Sequence, residues 1–338
     1  MKLQPCSILT KANVDFSISP TISIISLLFK SYGSRISSWM SYGNVGVELF
    51  FMRSGFVIFW TLNRIERPLD FIVSRFSRLY PVYWAAVLIT FISVFIFELP
   101  GRDVTDSEAL LNLLMFQEYL YIPHVDGVYW TLTVEITFYF WMFILYLCNG
   151  LSRVEWFSLS LILLSLSELL GVISIPELVS KLLILKYIFF FASGISFYNI
   201  VNNKGSLVSY LVLACSLLAT FFSFSLIHFL IFSLIYVVFY LSLTGRLQIL
   251  AAKPFLFLGS ISYTLYLVHQ NIGYIVINKS YELSLNPLLG ILMAILLSFS
   301  IAVCLTKYIE KPSLKIIRNG YKKNLWLQSK STLFKKNR

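Results

Sequence analysis

Charge is scarce in this 338-residue chain: Asp, Glu, Lys and Arg make up 13% of it, about half the share of a soluble domain. Histidine is rarer, with His124, His228 and His269 the full set of three. The four cysteines, Cys6, Cys148, Cys215 and Cys304, show no Cys-x-x-Cys or Cys/His spacing. These shortages exclude a disulfide scaffold and a His-rich metal centre, so no metal site is expected. What fills the chain is apolar: 58% is hydrophobic and the mean hydropathy is +0.78. The apolar residues come in runs of about 18 or more, the length that carries a helix across a bilayer. One water-soluble core cannot hide that surface. The expected fold is all-α, a polytopic membrane helix bundle, which rules out soluble nucleotide folds and any nucleic-acid partner.

Nine segments are long and apolar enough to span, at about 44–62, 79–98, 131–149, 156–175, 181–200, 206–223, 226–244, 254–277 and 285–306. A tenth, at about 20–33, is short and ends near Lys30, so about ten transmembrane helices are expected in all. Charge orients them. Residues 63–78 hold Arg64, Arg67, Arg75 and Arg78 against Glu66 and Asp70, whereas 98–130 hold six acids against Arg102 alone. The positive-inside rule makes the first loop cytoplasmic and the second external. Arg153, Lys204, Arg246 and Lys253 then fall inside, as does the stretch from Lys307 to Arg338, with ten Lys/Arg and one acid. That stretch supplies +9 of the net +11. The reading is one transmembrane domain over 1–306 and a basic, cytoplasmic, partly disordered tail over 307–338, held to anionic membrane lipid. Residues 1–19 lack the basic-then-apolar order of a cleaved signal peptide, and no internal repeat recurs.

Ionisable residues inside a span are costly and therefore candidates for function. Glu48 and Arg53 share the first strong span but, five residues apart, lie on different helix faces. After Trp130, the residues Thr131, Glu135 and Tyr139 recur every four positions and form one polar stripe. Gly259, Ser262, Tyr266, His269 and Gly273 form another at steps of three and four. Such stripes face protein or a water-filled cavity, since lipid offers no hydrogen-bond partner. Helix rise places Glu48, Glu135 and His269 in the outer half of the membrane, with Arg75 and Arg78 at the inner face. The expectation is that Trp130, Glu135, Tyr139 and His269 share an outward-opening cavity. Each has a plainer alternative: His269 and Glu135 as interhelical hydrogen-bonding groups, Arg75 and Arg78 as topology anchors, and Gly43, Gly46 and Gly55 as points of close helix approach.

Six strings, in order, resemble the acyltransferase-3 family of bacterial integral-membrane O-acyltransferases: GVELFFMRSGFVIFW, FIVSRFSRLYPVYW, GVYWTLTVEITFYFW, FFFASGISFY, LGSISYTLYLVHQ and YIEKP. They cover about 44 to 312. The resemblance implies acyl-CoA, acetyl-CoA in the first instance, as donor substrate from the cytosol, with no resident cofactor. It implies a glycan or lipid-linked sugar hydroxyl of the bacterial envelope as acceptor, and residence in the inner membrane. Arg75 and Arg78 would neutralise donor phosphates with the bidentate geometry of guanidinium, and a buried His or carboxylate would take the sugar's proton. The chain departs from the family in two places. Family members carry an arginine followed about ten residues later by a histidine in the first span, whereas 1–43 holds no histidine and Arg35 as its single arginine. Arg53 stands where an apolar residue is usual.

Overall fold

The computed structural model describes residues 45–336, with side chains to residue 323. Cys6, Lys30, Arg35, Gly43 and the short segment at 20–33 lie outside the described residues. All regular structure among the described residues is helical, with no strand. In chain order the helices are α1 (Val45–Leu62), α2 (Pro68–Phe97), α3 (Asp106–Asn112), α4 (Trp130–Leu147), α5 (Val154–Leu169), α6 (Glu177–Leu182), α7 (Ile188–Val201), α8 (Leu207–Ser223), α9 (Leu226–Leu243), α10 (Lys253–Glu282), α11 (Pro287–Leu305) and α12 (Lys311–Lys336). A π-helical turn, Thr306–Glu310, joins the last two.

Each of the nine strong apolar segments overlaps one of these helices, although 156–175 stops being helical at Leu169 and 181–200 enters α7 only at Ile188, after a turn. By length and composition five helical stretches can cross a membrane: α1, α2, Gly127–Leu147, α9 and the run Pro287–Lys323. Helices α7 and α8 are shorter and apolar. Helix α10 has the length, at 30 residues, but its polar stripe dilutes its hydropathy. Large apolar side chains remain exposed on the outer surfaces of α2, α8, α9 and α11, as an integral membrane protein requires of its lipid-facing sides.

Two glycines set the central helix crossing. A Cβ on Gly55 of α1 would stand 2.0 Å from the Phe191 carbonyl oxygen, and one on Gly194 of α7 would stand 1.9 Å from that of Met52. The two backbones therefore touch, the small-residue packing used between helices in lipid. Phe51 of α1 stacks on Phe191 at 4.8 Å, and Phe138 of α4 stacks on Phe191 at 4.1 Å. These rings extend the contact into one core.

Helix α2 begins eleven residues earlier than the hydropathy of 79–98 suggests. Pro68 at its first turn suits a helix start, and Asp70 reaches back to the Arg67 backbone N–H at 3.2 Å. Arg75 and Arg78 break the apolar pattern but not the helix, because both turn into the protein. The basic tail differs from expectation too. It continues α11 through the π turn as the helix α12, which packs along the start of α2. Tyr321 donates to Asp70 Oδ1 at 2.7 Å, and Arg318 donates to Ser77 Oγ at 3.2 Å and to the Ser74 carbonyl at 3.4 Å.

The loop between α2 and α4 folds back onto the bundle. Asn112 ties it together, donating to the Glu108 and Pro123 carbonyls and accepting from Val125 N–H. Tyr83 and Thr133 anchor it from α2 and α4 through the carbonyls of Asn112 and Met115, at 2.7 and 3.0 Å. At its end Asp126, fully buried, accepts from Val128 N–H and from Asn271 N–H in the middle of α10. Asn271 returns a bond to the Val125 carbonyl at 2.8 Å. Burial outweighs these bonds and pushes the Asp126 carboxyl up to about 7. This clamp fixes the depth at which α4 and α10 meet.

Candidate functional site

The stripes of α4 and α10 face each other. Thr131 Oγ1 and Tyr266 OH lie 2.8 Å apart, and Tyr266 also donates to the Val128 carbonyl at 3.1 Å. This contact forms part of a wall between two cavities. Tyr266 and Val47 line both.

The first cavity is narrow, about 70 Å³, and is lined by Arg53, Ser54, Arg75, Arg78, Glu135, Tyr139, Ser262 and Tyr263 among others. Glu135 is 3% exposed. Its Oε1 accepts from Ser54 at 3.0 Å and from Tyr139, one turn along its own helix. No described residue donates to Oε2. The Arg75 guanidinium sits 5.9 Å from the ring centres of both Phe71 and Tyr139, and its Nη2 donates to Ser74 Oγ at 3.3 Å. Arg53 lies eight residues into α1, about 12 Å along it, within electrostatic reach of Glu135, Arg75 and Arg78. An arginine facing lipid at mid-helix costs roughly 2.5–3.5 kcal/mol. Three turned into one cavity avoid that cost and give it an anion-attracting character.

Beside Arg78, Glu310 of the π turn accepts from Thr264 of α10 at 3.0 Å, and Thr306 donates to Thr264 at 2.8 Å. Glu310 is 8% exposed and within electrostatic reach of Arg78. The YIEKP motif therefore places a carboxylate against the second arginine of the Arg-x-x-Arg pair.

The second cavity, about 750 Å³, is lined by Glu48, Trp130, Glu168, Lys186, Tyr187, His228, Tyr266, His269 and Gln270 among others. That volume lies in the range of small-molecule sites. His269 is 2% exposed. Its Nδ1 stands 2.8 Å from the Tyr266 carbonyl oxygen, which can only accept, so Nδ1 carries the proton and Nε2 the lone pair. No described residue hydrogen-bonds Nε2. Trp130 packs against Tyr187 with ring centres 5.2 Å apart and also lines a small neighbouring void.

The cavity expected to join four residues is thus two. Glu135 and Tyr139 share theirs with the arginines, and Trp130 and His269 occupy the other. The separation between arginines and carboxylate expected from span positions is absent, because α2 carries Arg75 and Arg78 inward within the helix. Ser54, Tyr263, Glu310 and Arg318 escaped sequence reasoning as site members. For Glu310 the terminal motif held a signal, and for Ser54 the Ser-Gly pair of α1 did. Arg318 looked like one charge among many.

Comparison with known proteins agrees with this architecture. The acyltransferase domain model of the acyltransferase-3 family matches residues 18–307, most of the chain. Acyltransferase MdmB of Streptomyces mycarofaciens is 29% identical over 114 residues, 32% of this chain and 29% of that protein. The chain therefore aligns with under a third of the length of this curated relative. No solved structure matches. On the breadth of the family match, the chain belongs to the acyltransferase-3 family of membrane acyltransferases.

Proposed function

We propose that this protein is a membrane O-acyltransferase. It moves an acyl group, acetyl in the first instance, from acyl-CoA to a hydroxyl of a bacterial envelope glycan or its lipid-linked precursor. The observation that carries the reading is the pair of dissimilar cavities meeting at Tyr266. The arginine-lined cavity suits the donor. Its small volume admits the slender acyl-thioester arm, while Arg75 and Arg78 at its side pair with phosphate oxygens. The larger cavity suits a sugar, with a carboxylate, an indole and an imidazole on its walls.

In the transfer, His269 Nε2 takes the proton of the acceptor hydroxyl as its oxygen bonds to the thioester carbonyl carbon. The tetrahedral intermediate then expels the CoA thiolate as the C–S bond breaks, and that thiolate takes up the proton. Glu135, held by Ser54 and Tyr139, and the adjacent Arg53 and Arg75 set the field at the donor end. With residues 63–78 and 311–323 on the cytosolic side of an inner membrane, the donor arrives from the cytosol and the C-terminus lies inside.

One observation favours a second reading, an inactive homologue with a scaffold role: residues 1–43 contain no histidine. Lysine at position 30, with an ordinary pKa near 10.4, is a poor base at neutral pH. Mass spectrometry of envelope glycans from cells with and without the gene tests the first reading. An added acyl mass that depends on the gene supports it, and identical glycans favour the second. A gain of activity on replacing Lys30 with histidine, with an arginine restored about ten residues upstream, over an inert wild type would identify a disabled enzyme. Movement of glycan across the membrane without covalent change would point instead to a transporter.

A further inference from the structure

Arg318 lies beyond the residues that match the family, 18–307, yet it is docked beside the donor cavity. Helix α12 brings it to the stretch of α2 that carries Arg75 and Arg78, and the contact is specific. Ser74 Oγ accepts from Arg75 at 3.3 Å, and its carbonyl accepts both from Ser77 Oγ at 3.2 Å and from Arg318 at 3.4 Å. Ser77, 1% exposed, accepts the Arg318 Nε at 3.2 Å. Arg318 is within electrostatic reach of both Arg75 and Arg78. No carboxylate forms a salt bridge with it among the described residues.

Glu135 and Glu310 lie within electrostatic reach of Arg75 and Arg78, but two carboxylates among the four guanidinium groups Arg53, Arg75, Arg78 and Arg318 leave an excess of positive charge that attracts an anion. A bond from one guanidinium to a serine hydroxyl and a backbone carbonyl uses two of its five N–H groups, leaving others for a ligand. The cavity volume of about 70 Å³ sharpens the point, since the bulky nucleotide end of CoA does not fit there and must lie outside, beside the arginines. Lys311, Lys315 and Lys322 flank Arg318 at steps of four, three and four along one face of α12.

We propose that Arg318 is the third guanidinium of the donor site, binding a phosphate of the nucleotide end of acyl-CoA, so that the C-terminal helix is part of the substrate-binding machinery. The inference rests on the donor reading given above. The same phosphate chemistry is offered by anionic lipid headgroups, and the experiment separates the two sources.

CoA affinity is measured calorimetrically on the full chain in nanodiscs of phosphatidylcholine alone and of phosphatidylcholine with phosphatidylglycerol. Wild type is compared with Arg318→Gln, Arg318→Lys and Arg75→Gln. The expected result is a loss of about tenfold or more in Arg318→Gln, the size of a lost charge-assisted contact, in both kinds of disc. Arg318→Lys is expected to recover part of it. Wild-type CoA affinity in Arg318→Gln, alongside weakened binding in Arg75→Gln, overturns the inference and leaves the donor reading standing. Loss of phosphatidylglycerol enrichment around Arg318→Gln with CoA binding intact assigns the group to lipid and also overturns it. Equal losses in Arg318→Gln and Arg318→Lys, with melting temperature lowered in both, make its role one of packing. Absence of CoA binding by wild type sinks the donor reading itself.

Discussion

The two cavities differ by about tenfold in volume, roughly 70 against 750 Å³, and they differ more in chemistry. The small one gathers Arg53, Arg75 and Arg78 around one carboxylate whose Oε1 is already engaged by a serine and a tyrosine. The large one mixes two carboxylates, Glu48 and Glu168, with Lys186 and the imidazoles of His228 and His269, and has no cluster of cations. A polyanion with a thin reactive arm suits the first, and a neutral, hydroxyl-rich molecule suits the second. Tyr266 stands between, and in the proposed reaction the new bond forms at this wall rather than deep in either space. A bisubstrate enzyme in a membrane gains from this division, because each substrate can approach from its own side without the two compartments being joined.

The contrast is most sharply broken at the imidazole. Replacing His269 with alanine is expected to lower turnover by about 10²–10⁴-fold, the usual contribution of a positioned base, with CoA affinity unchanged. Robust turnover surviving that change would remove His269 from the chemistry. Next in size, Arg75→Gln with Arg78→Gln should raise KM for acetyl-CoA by about tenfold or more and leave KM for the acceptor alone. A matched rise in both would mean that the cavities are not assigned to different substrates. Changing Tyr266 to phenylalanine deletes its bonds to Thr131 and Val128 but keeps the wall. A loss of a few fold in kcat is expected, consistent with about 1 kcal/mol for a neutral hydrogen bond, and an unchanged kcat would make the wall passive.

The last effect is on stability rather than turnover and concerns the clamp that sets the depth of α4 and α10. The Asp126 carboxyl, pushed up to about 7 by burial, binds its proton more tightly folded than unfolded. Its contribution is therefore fully present below the ordinary carboxylate range near 3.8 and is lost as pH rises through about 7. Wild-type melting temperature should fall across that window, and Asp126→Asn should flatten the slope. An equal slope in both proteins would show that Asp126 does not titrate there.

The bundle was legible because hydropathy reads helices directly. Nine apolar segments became nine helices, and the glycine at 55 met the backbone of α7 as small residues at helix crossings do. The site was legible only in part. Periodicity put Thr131, Glu135 and Tyr139 on one face and Tyr266 with His269 on another, and the faces do meet. Hydropathy misplaced Arg75 and Arg78, because a window average cannot distinguish a charged residue that ends a helix from one that turns into a cavity. Depth along a span likewise fails to say which of two adjoining spaces a side chain enters, so Glu135 and His269 looked like cavity mates. The docking of Arg318 on Ser74 and Ser77 is a contact between residues more than 240 positions apart, and no local pattern announces it.

Division of donor and acceptor between the two cavities is tested most directly by acyl transfer with purified components. The full chain in proteoliposomes is given labelled acetyl-CoA on the side bearing the C-terminus and isolated envelope glycolipid on the other. Wild type should move label into glycolipid, Arg75→Gln with Arg78→Gln should require much more acetyl-CoA to do so, and His269→Ala should bind CoA yet transfer almost nothing. Transfer by wild type that proceeds equally well in both variants, or only when acetyl-CoA is supplied on the opposite side, would contradict that division.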